Sequence, residues 1–389
     1  MRRILFNSIY VLGVALSLIS CNNNNDEIIM QSAKRVIDCN LDDAQKVSDL
    51  SAVFENIDVV TLESKHLIGL VDDIHTDESG IYLTSNNTLY AYNWNGEELF
   101  YLDRKGRALS DYLEIKDFSI SKKYIAISDP ESMKILLFNK SDGEFNKSIR
   151  LDFFPEEITF MNETTLAVNC GGVDGSRLVR IDIETGDVVD GYLHFDALFT
   201  EPLPQVFSSI NGTTLYRIPF YNDFYTISDD KKMEKALSFD FKDKNFNVND
   251  LKTINIMGVN MLIDEKGNVN IENIYDVNST IAIDFKCQSI SEESRYLLFV
   301  DTLNQTKYLF DNKATNDNIL FYDYVALPYF YDSNEDGFIS VLYPDFWIST
   351  FKSISEDRKN TSNYQKASSI YEIASKNENP SILVYRLKK

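Results

Sequence analysis

Short apolar runs separated by polar turns make up most of the chain after its first fifty residues. Residues 80–84 and 88–92 form two such runs, and the turn Asn93-Trp94-Asn95-Gly96 leads into a third at 98–102. An Asn-Gly pair is a strong hairpin signal because both residues tolerate a positive φ. This stretch therefore predicts consecutive antiparallel β-strands.

The same arrangement recurs along the chain. Runs at 124–127 and 134–138 precede Gly143, and runs at 165–168 and 178–181 precede Gly186. These glycines follow Gly96 at steps of 47 and 43 residues, and a further step of about 44 reaches Asp229-Asp230. A period of 40–50 residues with four strands per unit is typical of a β-propeller.

The apolar runs favour the same fold over its alternatives. Ile135 to Phe138 is continuously apolar, as expected of a strand that is covered on both faces. Strands inside a propeller are covered in this way by the neighbouring blades. A β-sandwich or two smaller β domains are the alternatives.

Four units end near residue 240, and about two more follow. In the last unit, Ser362-x-x-Gln365 is a capping box, so residues 363–376 are predicted to form one helical insertion. Residues 54–62 precede the first full unit and are expected to add a strand to the last one. The sequence thus predicts an all-β, six-bladed propeller of four-stranded blades, closed by N- and C-terminal strands.

The first twenty residues have the pattern of a secretion signal. Arg2 and Arg3 precede a mostly apolar stretch at 4–19, and Leu18-Ile19-Ser20-Cys21 resembles a bacterial lipobox. In lipoproteins of this type the cysteine becomes the N-terminus and carries acyl chains. We predict lipidation at Cys21, a signal peptide at 1–20, a polar tether and lead-in at 21–50 and the propeller at 51–389. An uncleaved anchor, or an ordinary signal with a chance cysteine, is the alternative.

Four stretches of the mature chain resemble a known family. They are residues 57–69, 103–120, 338–344 and 379–388. Together they are similar to the six-bladed β-propeller lipoproteins of Bacteroidetes, whose architecture is related to NHL-repeat propellers. The resemblance implies a protein held by its lipid at the cell envelope, with the outer membrane as the expected site. It implies no catalytic motif, and in the 103–120 loop Leu109-Ser110-Asp111 replaces the family's Gly-Pro-Glu-like run before Tyr112.

The charge of the chain excludes one class of partner, and the cysteine spacing indicates the role of the thiols. The chain has 60 acidic and 38 basic residues, a net charge of −22, which becomes −24 once residues 1–20 are removed. Such a balance offers no electrostatic footprint for nucleic acid. The remaining cysteines, Cys39, Cys170 and Cys287, show no CxxC spacing, so buried apolar filling is the favoured role and a single disulfide stays open.

One short motif suggests a metal. Asp332, Asn334 and Asp336, followed by Gly337, match the first half of an EF-hand calcium loop, but the twelfth position is Tyr343 instead of glutamate. An Asx-rich turn between two strands is the alternative. His66, His75 and His194 have no metal-ligand spacing, so each is predicted to be a structural or surface residue, and no catalytic or cofactor-binding residue is predicted.

The two tryptophans of the chain complete the list of candidate residues. Trp94 lies in a hairpin turn and Trp347 near the start of the insertion, where packing is favoured over ligand stacking. Two functions follow. The first is a lipid-anchored binding or scaffold module for an envelope protein, glycan or peptide. The alternative is an envelope hydrolase or lyase with an acidic, calcium-dependent site in the central channel. Convergence of carboxylates, amides or histidines in one pocket would favour the second.

Overall fold

The computed structural model describes residues 32–63, 66–170, 176–194, 206–218, 221–227, 232–245, 267–289, 292–311, 327–352, 354, 356, 359 and 362–388. These residues form six sheets, each with four antiparallel strands, and the sheets are the blades of a β-propeller. The predicted fold class is therefore confirmed.

Among the described residues, three strands precede the first complete blade: β1 (Arg35–Asp38), β2 (Gln45–Lys46) and β3 (Phe54–Thr61). Blade 1 contains β4 (Asp73–Asp77), β5 (Gly80–Ser85), β6 (Thr88–Tyr92) and β7 (Glu98–Leu102). Blade 2 contains β8 (Asp117–Ile120), β9 (Tyr124–Asp129), β10 (Lys134–Asn139) and β11 (Phe145–Arg150). Blade 3 contains β12 (Glu157–Asn162), β13 (Thr165–Asn169), β14 (Ser176–Asp182) and β15 (Val188–His194).

The second half of the ring repeats this plan. Blade 4 contains β16 (Phe207–Ile210), β17 (Thr213–Arg217), β18 (Asp223–Ile227) and β19 (Met233–Asp240). Blade 5 contains β20 (Val269–Val277), β21 (Thr280–Ser289), β22 (Glu292–Asp301) and β23 (Lys307–Phe310). Blade 6 contains β24 (Phe330–Asn334), β25 (Gly337–Leu342) and β26 (Ser381–Leu387). The first strands of adjacent blades contact one another, which places them around the axis of the ring.

Blade 6 is completed by the N-terminal strand β3. It runs antiparallel to β26, with Thr61 opposite Ser381 and Phe54 opposite Leu387. The predicted ring closure is therefore confirmed. β26 thereby lies between β25 and β3, and β3 forms the outer edge of this sheet.

The sequence gives no sign of two further strands. β1 pairs in parallel with β19, and β2 pairs in parallel with β23, so blades 4 and 5 each gain a fifth strand at the rim. Ile37 and Cys39 are buried in the apolar cluster shared by these two blades. Part of the segment assigned to the lead-in is thus built into the propeller.

In the described part of the segment between β25 and β26, the structure contains two α-helices. The second, α2 (Ser362–Ala374), agrees with the predicted helix to within two residues, whereas the first, α1 (Pro344–Lys352), was not predicted. α1 and α2 contact each other, and Trp347, Ala367 and Ile370 are buried in the cluster between blades 5 and 6. Trp347 is therefore a packing residue.

Within the described residues no helix has the length and apolarity needed to cross a membrane.

The repeat-marking glycines have the predicted backbone. Gly96, Gly143 and Gly186 have φ values of +84°, +71° and +83°, which L-residues rarely adopt. Asp229-Asp230 lies outside the described residues. At Gly96 the chain also leaves no room, because a Cβ atom would lie 1.9 Å from the carbonyl oxygen of Thr61.

We expect Gly96→Ala to lower the free energy of unfolding by about 3 kcal/mol, since it adds a steric clash to a left-handed backbone. Gly212→Ala is the matched control, because Gly212 has a φ of +71° but no heavy atom within 4 Å of its added Cβ. It should cost only about 1 kcal/mol. Urea unfolding of both variants measures the difference, and equal losses would contradict the close approach at Thr61.

Candidate functional site

A cavity of about 710 Å³ lies on the axis of the ring. Residues of all six first strands line it, namely β4, β8, β12, β16, β20 and β24. In a propeller these strands converge on the axis, so side chains that are distant in sequence meet there. This convergence is the reason that a site can form without a local motif.

The cavity is strongly acidic. Asp73, Asp117 and Glu157 are the first residues of β4, β8 and β12, and Asp332 lies in the middle of β24. Three further carboxylates, Asp72, Asp276 and Glu335, also line the space. Among the described lining residues the basic side chains are His75 and Lys116.

Asp73, His75 and Asp117 form the tightest cluster of the site. Asp73 and His75 are two residues apart on β4, so both side chains point toward the same face of the strand. Their Oδ2 and Nε2 atoms are 3.4 Å apart, and one ligand atom from each of the three residues lies within 4.8 Å of the others. Burial alone would lower the pKa of His75, but Asp73, Asp332 and Asp117 raise it to about 9.

Two carboxylates of the cavity also join neighbouring blades. Asp117 Oδ2 accepts a hydrogen bond of 2.7 Å from the Ile158 N–H in blade 3. Asp332 Oδ2 accepts bonds of 2.6 and 2.8 Å from the N–H and hydroxyl of Thr76 in blade 1. Burial raises the pKa of both acids, well above the usual range for Asp117 and to about 6 for Asp332. These residues therefore have a structural role in addition to any ligand role.

Glu157 links blades 3 and 4 through a hydrogen bond in the same way. Its Oε2 atom accepts a 2.8 Å hydrogen bond from the Val206 N–H. Burial raises the pKa of Glu157 to about 7, against the lowering effects of this bond and of Arg217. The buried Arg217 guanidinium donates to the carbonyl oxygens of Ile271 and Glu272 in blade 5.

We expect Glu157 to make stability depend on pH. Below about pH 4.5 the Glu157 carboxyl is protonated in both the folded and the unfolded protein. Between about pH 4.5 and 7 only the unfolded chain loses this proton, so the free energy of unfolding falls as the pH rises. Glu157→Gln should remove this pH dependence. Its free energy of unfolding should exceed that of the wild type by about 2 kcal/mol as the pH rises from 4.5 to 8. Urea unfolding across this range tests it, with the exposed Glu131→Gln as a control; parallel curves for wild type and Glu157→Gln would contradict it.

The three predicted calcium ligands lie in one hairpin with separate partners. Asp332 binds Thr76, whereas Asn334 Oδ1 accepts from the N–H groups of Asp336 and Gly337 at 2.9 and 3.2 Å. Asp336 Oδ1 is 2.8 Å from Nη1 of Arg386. The hairpin turn is thus accounted for by these contacts, and calcium binding here stays a prediction. Cys21 lies outside the described residues, so its lipidation also stays a prediction.

The remaining single residues have structural surroundings. His66 Nδ1 lies 3.4 Å from Glu98 Oε2, away from the cavity, and the side chain of His194 lies outside the described residues. Trp94 is half-buried and donates to the Asp77 carbonyl at 2.8 Å. Cys39, Cys170 and Cys287 form no disulfide with one another among the described residues, and the first two are buried, in line with the predicted filling role.

Sequence reasoning missed Asp73, Asp117 and Glu157 as members of one site, and it treated His75 as a lone histidine. A signal was present, because an acidic residue opens the first strand of three successive blades at steps of 44 and 40 residues. These steps follow the spacing of the turn glycines. Reading the repeat for shared polar positions would have brought the three acids together.

Fold and site together define a six-bladed β-propeller with an acidic cavity on its axis. The chain belongs to the family described as domain of unknown function DUF4934, whose model matches residues 34–386. Among curated proteins none matches this sequence.

Comparison with solved structures finds one that shares the propeller fold. A protein of Bacteroides fragilis NCTC 9343 that is described as exported superposes with a TM-score of 0.72 at 17% identity, covering 91% of this chain and 100% of its own. A DUF4221 family member from Bacteroides vulgatus ATCC 8482 gives a TM-score of 0.46 at 11% identity, covering 87% of this chain and 98% of its own. At 17% identity, the similarity to the Bacteroides fragilis structure shows the propeller fold alone.

Proposed function

We propose that this protein is a binding module of the bacterial cell envelope that takes a positively charged ligand in its central cavity. The observation that carries the proposal is the lining of that cavity, in which seven described carboxylates face one lysine and one histidine. Such a surface attracts cations and repels anions. The rigid ring holds the lining strands in place, as suits a largely pre-formed site.

The envelope location rests on two supports. The lipobox at Cys21 predicts an acylated N-terminus held in a membrane, with the outer membrane as the expected one. The similar Bacteroides fragilis protein is described as exported. The architectural relation to NHL-repeat propellers and the lipoprotein class are parts of the same proposal.

The lining favours a basic peptide segment over a plain glycan. Ammonium and guanidinium groups form charge-assisted hydrogen bonds with carboxylates. Tyr329 and Tyr331 add aromatic surface beside the acids, and their rings are in edge contact at 5.0 Å. An envelope protein that presents lysine or arginine at a chain end or loop would meet these requirements.

Calorimetric titration with a tri-lysine peptide tests the proposal against a tri-glutamate peptide. The double variant Asp276→Asn/Glu335→Gln removes two charges from the lining, and Asp142→Asn/Glu144→Gln removes two exposed charges from a hairpin of blade 2 as a matched control. We expect the cationic peptide alone to bind, with affinity reduced by the first variant only. Equal binding of both peptides, or no binding of either, would overturn the proposed ligand class.

A hydrolase or lyase is the second candidate, and one observation favours it. Carboxylates and a histidine converge in one pocket, as a site for general acid–base chemistry requires. Release of amino groups from peptides or of reducing ends from glycans, measured for wild type and Asp117→Asn, tests this function. Turnover that is lost in the variant would support an enzyme, and its absence across both substrate classes would oppose one.

A further inference from the structure

We propose that Asp73, His75 and Asp117 bind one divalent transition-metal ion of the Zn²⁺ type in the central cavity. This inference deepens the proposed function, since it names a cation that the acidic cavity would hold and beside which a second ligand would bind. It concerns different residues from the calcium loop predicted around Asp332. Two adjacent blades place the three donor atoms together.

The distances suit a single small ion. Zn²⁺ bonds to histidine nitrogen and carboxylate oxygen are about 2.0–2.2 Å long, so tetrahedral ligand atoms lie about 3.4 Å apart. The Asp73 Oδ2 and His75 Nε2 atoms are 3.4 Å apart, and all three donors lie within 4.8 Å of one another. These separations allow the three donor atoms to share one ion.

The backbone fixes the two carboxylates. Asp73 Oδ1 accepts a 2.8 Å hydrogen bond from the Ile74 N–H, and Asp117 Oδ2 accepts the 2.7 Å bond from Ile158. The ring of Phe118 packs edge-on against the His75 ring at 4.8 Å. Such supporting contacts orient metal ligands and raise metal affinity. All three ligands also lie on strands, which hold a site more firmly than loops do.

An independent feature of the same cavity points to a bound group. Asn273 lines the cavity, is 4% exposed, and its Oδ1 atom has no hydrogen-bond partner among the described residues. A buried acceptor without a donor is costly. A hydrogen-bond donor bound in the cavity would satisfy it, and three protein ligands separately leave an open position on the ion.

The ligand types select the metal class. A set of one imidazole and two carboxylates suits Zn²⁺ and its neighbours in the transition series. Ca²⁺ instead takes six to eight oxygen ligands. We therefore expect Zn²⁺ to bind and Ca²⁺ to fail to displace it at equal concentration.

The experiment uses the untagged chain, dialysed against EDTA and then titrated with Zn²⁺. We expect one ion per chain by elemental analysis, and a rise in melting temperature of about 4 °C at one hundred times the Kd. His75→Gln and Asp73→Asn each remove a ligand and should weaken binding by more than about 100-fold, the upper limit for loss of a supporting contact. His66→Gln is the matched control because this histidine lies outside the cavity, and it should bind like the wild type.

Unchanged Zn²⁺ binding in His75→Gln and Asp73→Asn would overturn the site, as would Ca²⁺ binding in preference to Zn²⁺. The melting temperatures of the EDTA-treated variants, taken with their circular dichroism, confirm that each is folded. The peptide titration is then run without metal. If the peptide binds and Zn²⁺ does not, the metal site is wrong and the proposed ligand class is retained. If Zn²⁺ binds and the peptide does not, the proposed ligand class is wrong and the metal site is retained.

Discussion

Replacing Phe54 with alanine should lower the free energy of unfolding by about 4 kcal/mol. Phe54 is fully buried at the start of β3, where the ring closes. Its ring makes edge contacts with Phe299 in blade 5 and Tyr385 in blade 6, both at a centroid distance of 5.2 Å. Alanine therefore removes a buried side chain and opens a cavity between two blades.

Urea unfolding of Phe54→Ala measures this loss. Phe54→Leu should cost only about 1.5 kcal/mol, because it retains most of the apolar volume. Phe154 is 50% exposed on a loop, so Phe154→Ala controls for removal of an aromatic ring and should change stability by less than about 1 kcal/mol. A loss at Phe54 as small as at Phe154 would show that closure does not depend on this contact.

Replacing Asp284 with alanine should lower the free energy of unfolding by about 3–5 kcal/mol. Asp284 in β21 is 1% exposed and binds Arg295 in β22 through two oxygens, with Nε distances of 2.9 and 3.1 Å. Arg295 also donates to the carbonyl oxygens of Leu327 and Pro328, which lead into blade 6. Asp284→Ala would leave the guanidinium partly buried without its counter-charge.

A double-mutant cycle separates the pair from its surroundings. Asp284→Ala/Arg295→Met should be more stable than Asp284→Ala, because it removes the uncompensated charge. It should stay less stable than the wild type, since the Leu327 and Pro328 carbonyls lose their donor. Additive losses from the two single variants in urea unfolding would contradict a coupled buried pair.

Features that repeat or act locally could be predicted from the sequence. Gly96, Gly143 and Gly186 carry their conformational preference with them, so their spacing indicated the blades. The α2 helix was identified from its 3- and 4-residue apolar spacing. Residues 54–62 form a strand-like run before the first unit, and this position predicts that they complete the last blade.

The other features depend on partners that lie far away in the sequence. The strand β1 has only four residues and β2 only two, and each is stabilised by a parallel neighbour about 200 or more residues downstream. Neither length nor periodicity distinguishes such strands from loop. The cavity was missed for the same reason, since Asp73 and Asp117 meet only because their blades are adjacent on the ring.

The closure of the ring by β3 has a consequence for how the chain folds. β3 must wait for β26, and the paired residues Phe54 and Leu387 are separated by more than three hundred positions. Contacts of such long range slow folding, because a very large loop must be closed before they form. β1, β2 and β3 are among the first strands synthesised, yet their partners emerge in the second half of translation. We therefore expect late ring closure to limit the folding rate, with three unpaired strands open to misassociation until the final strand is released.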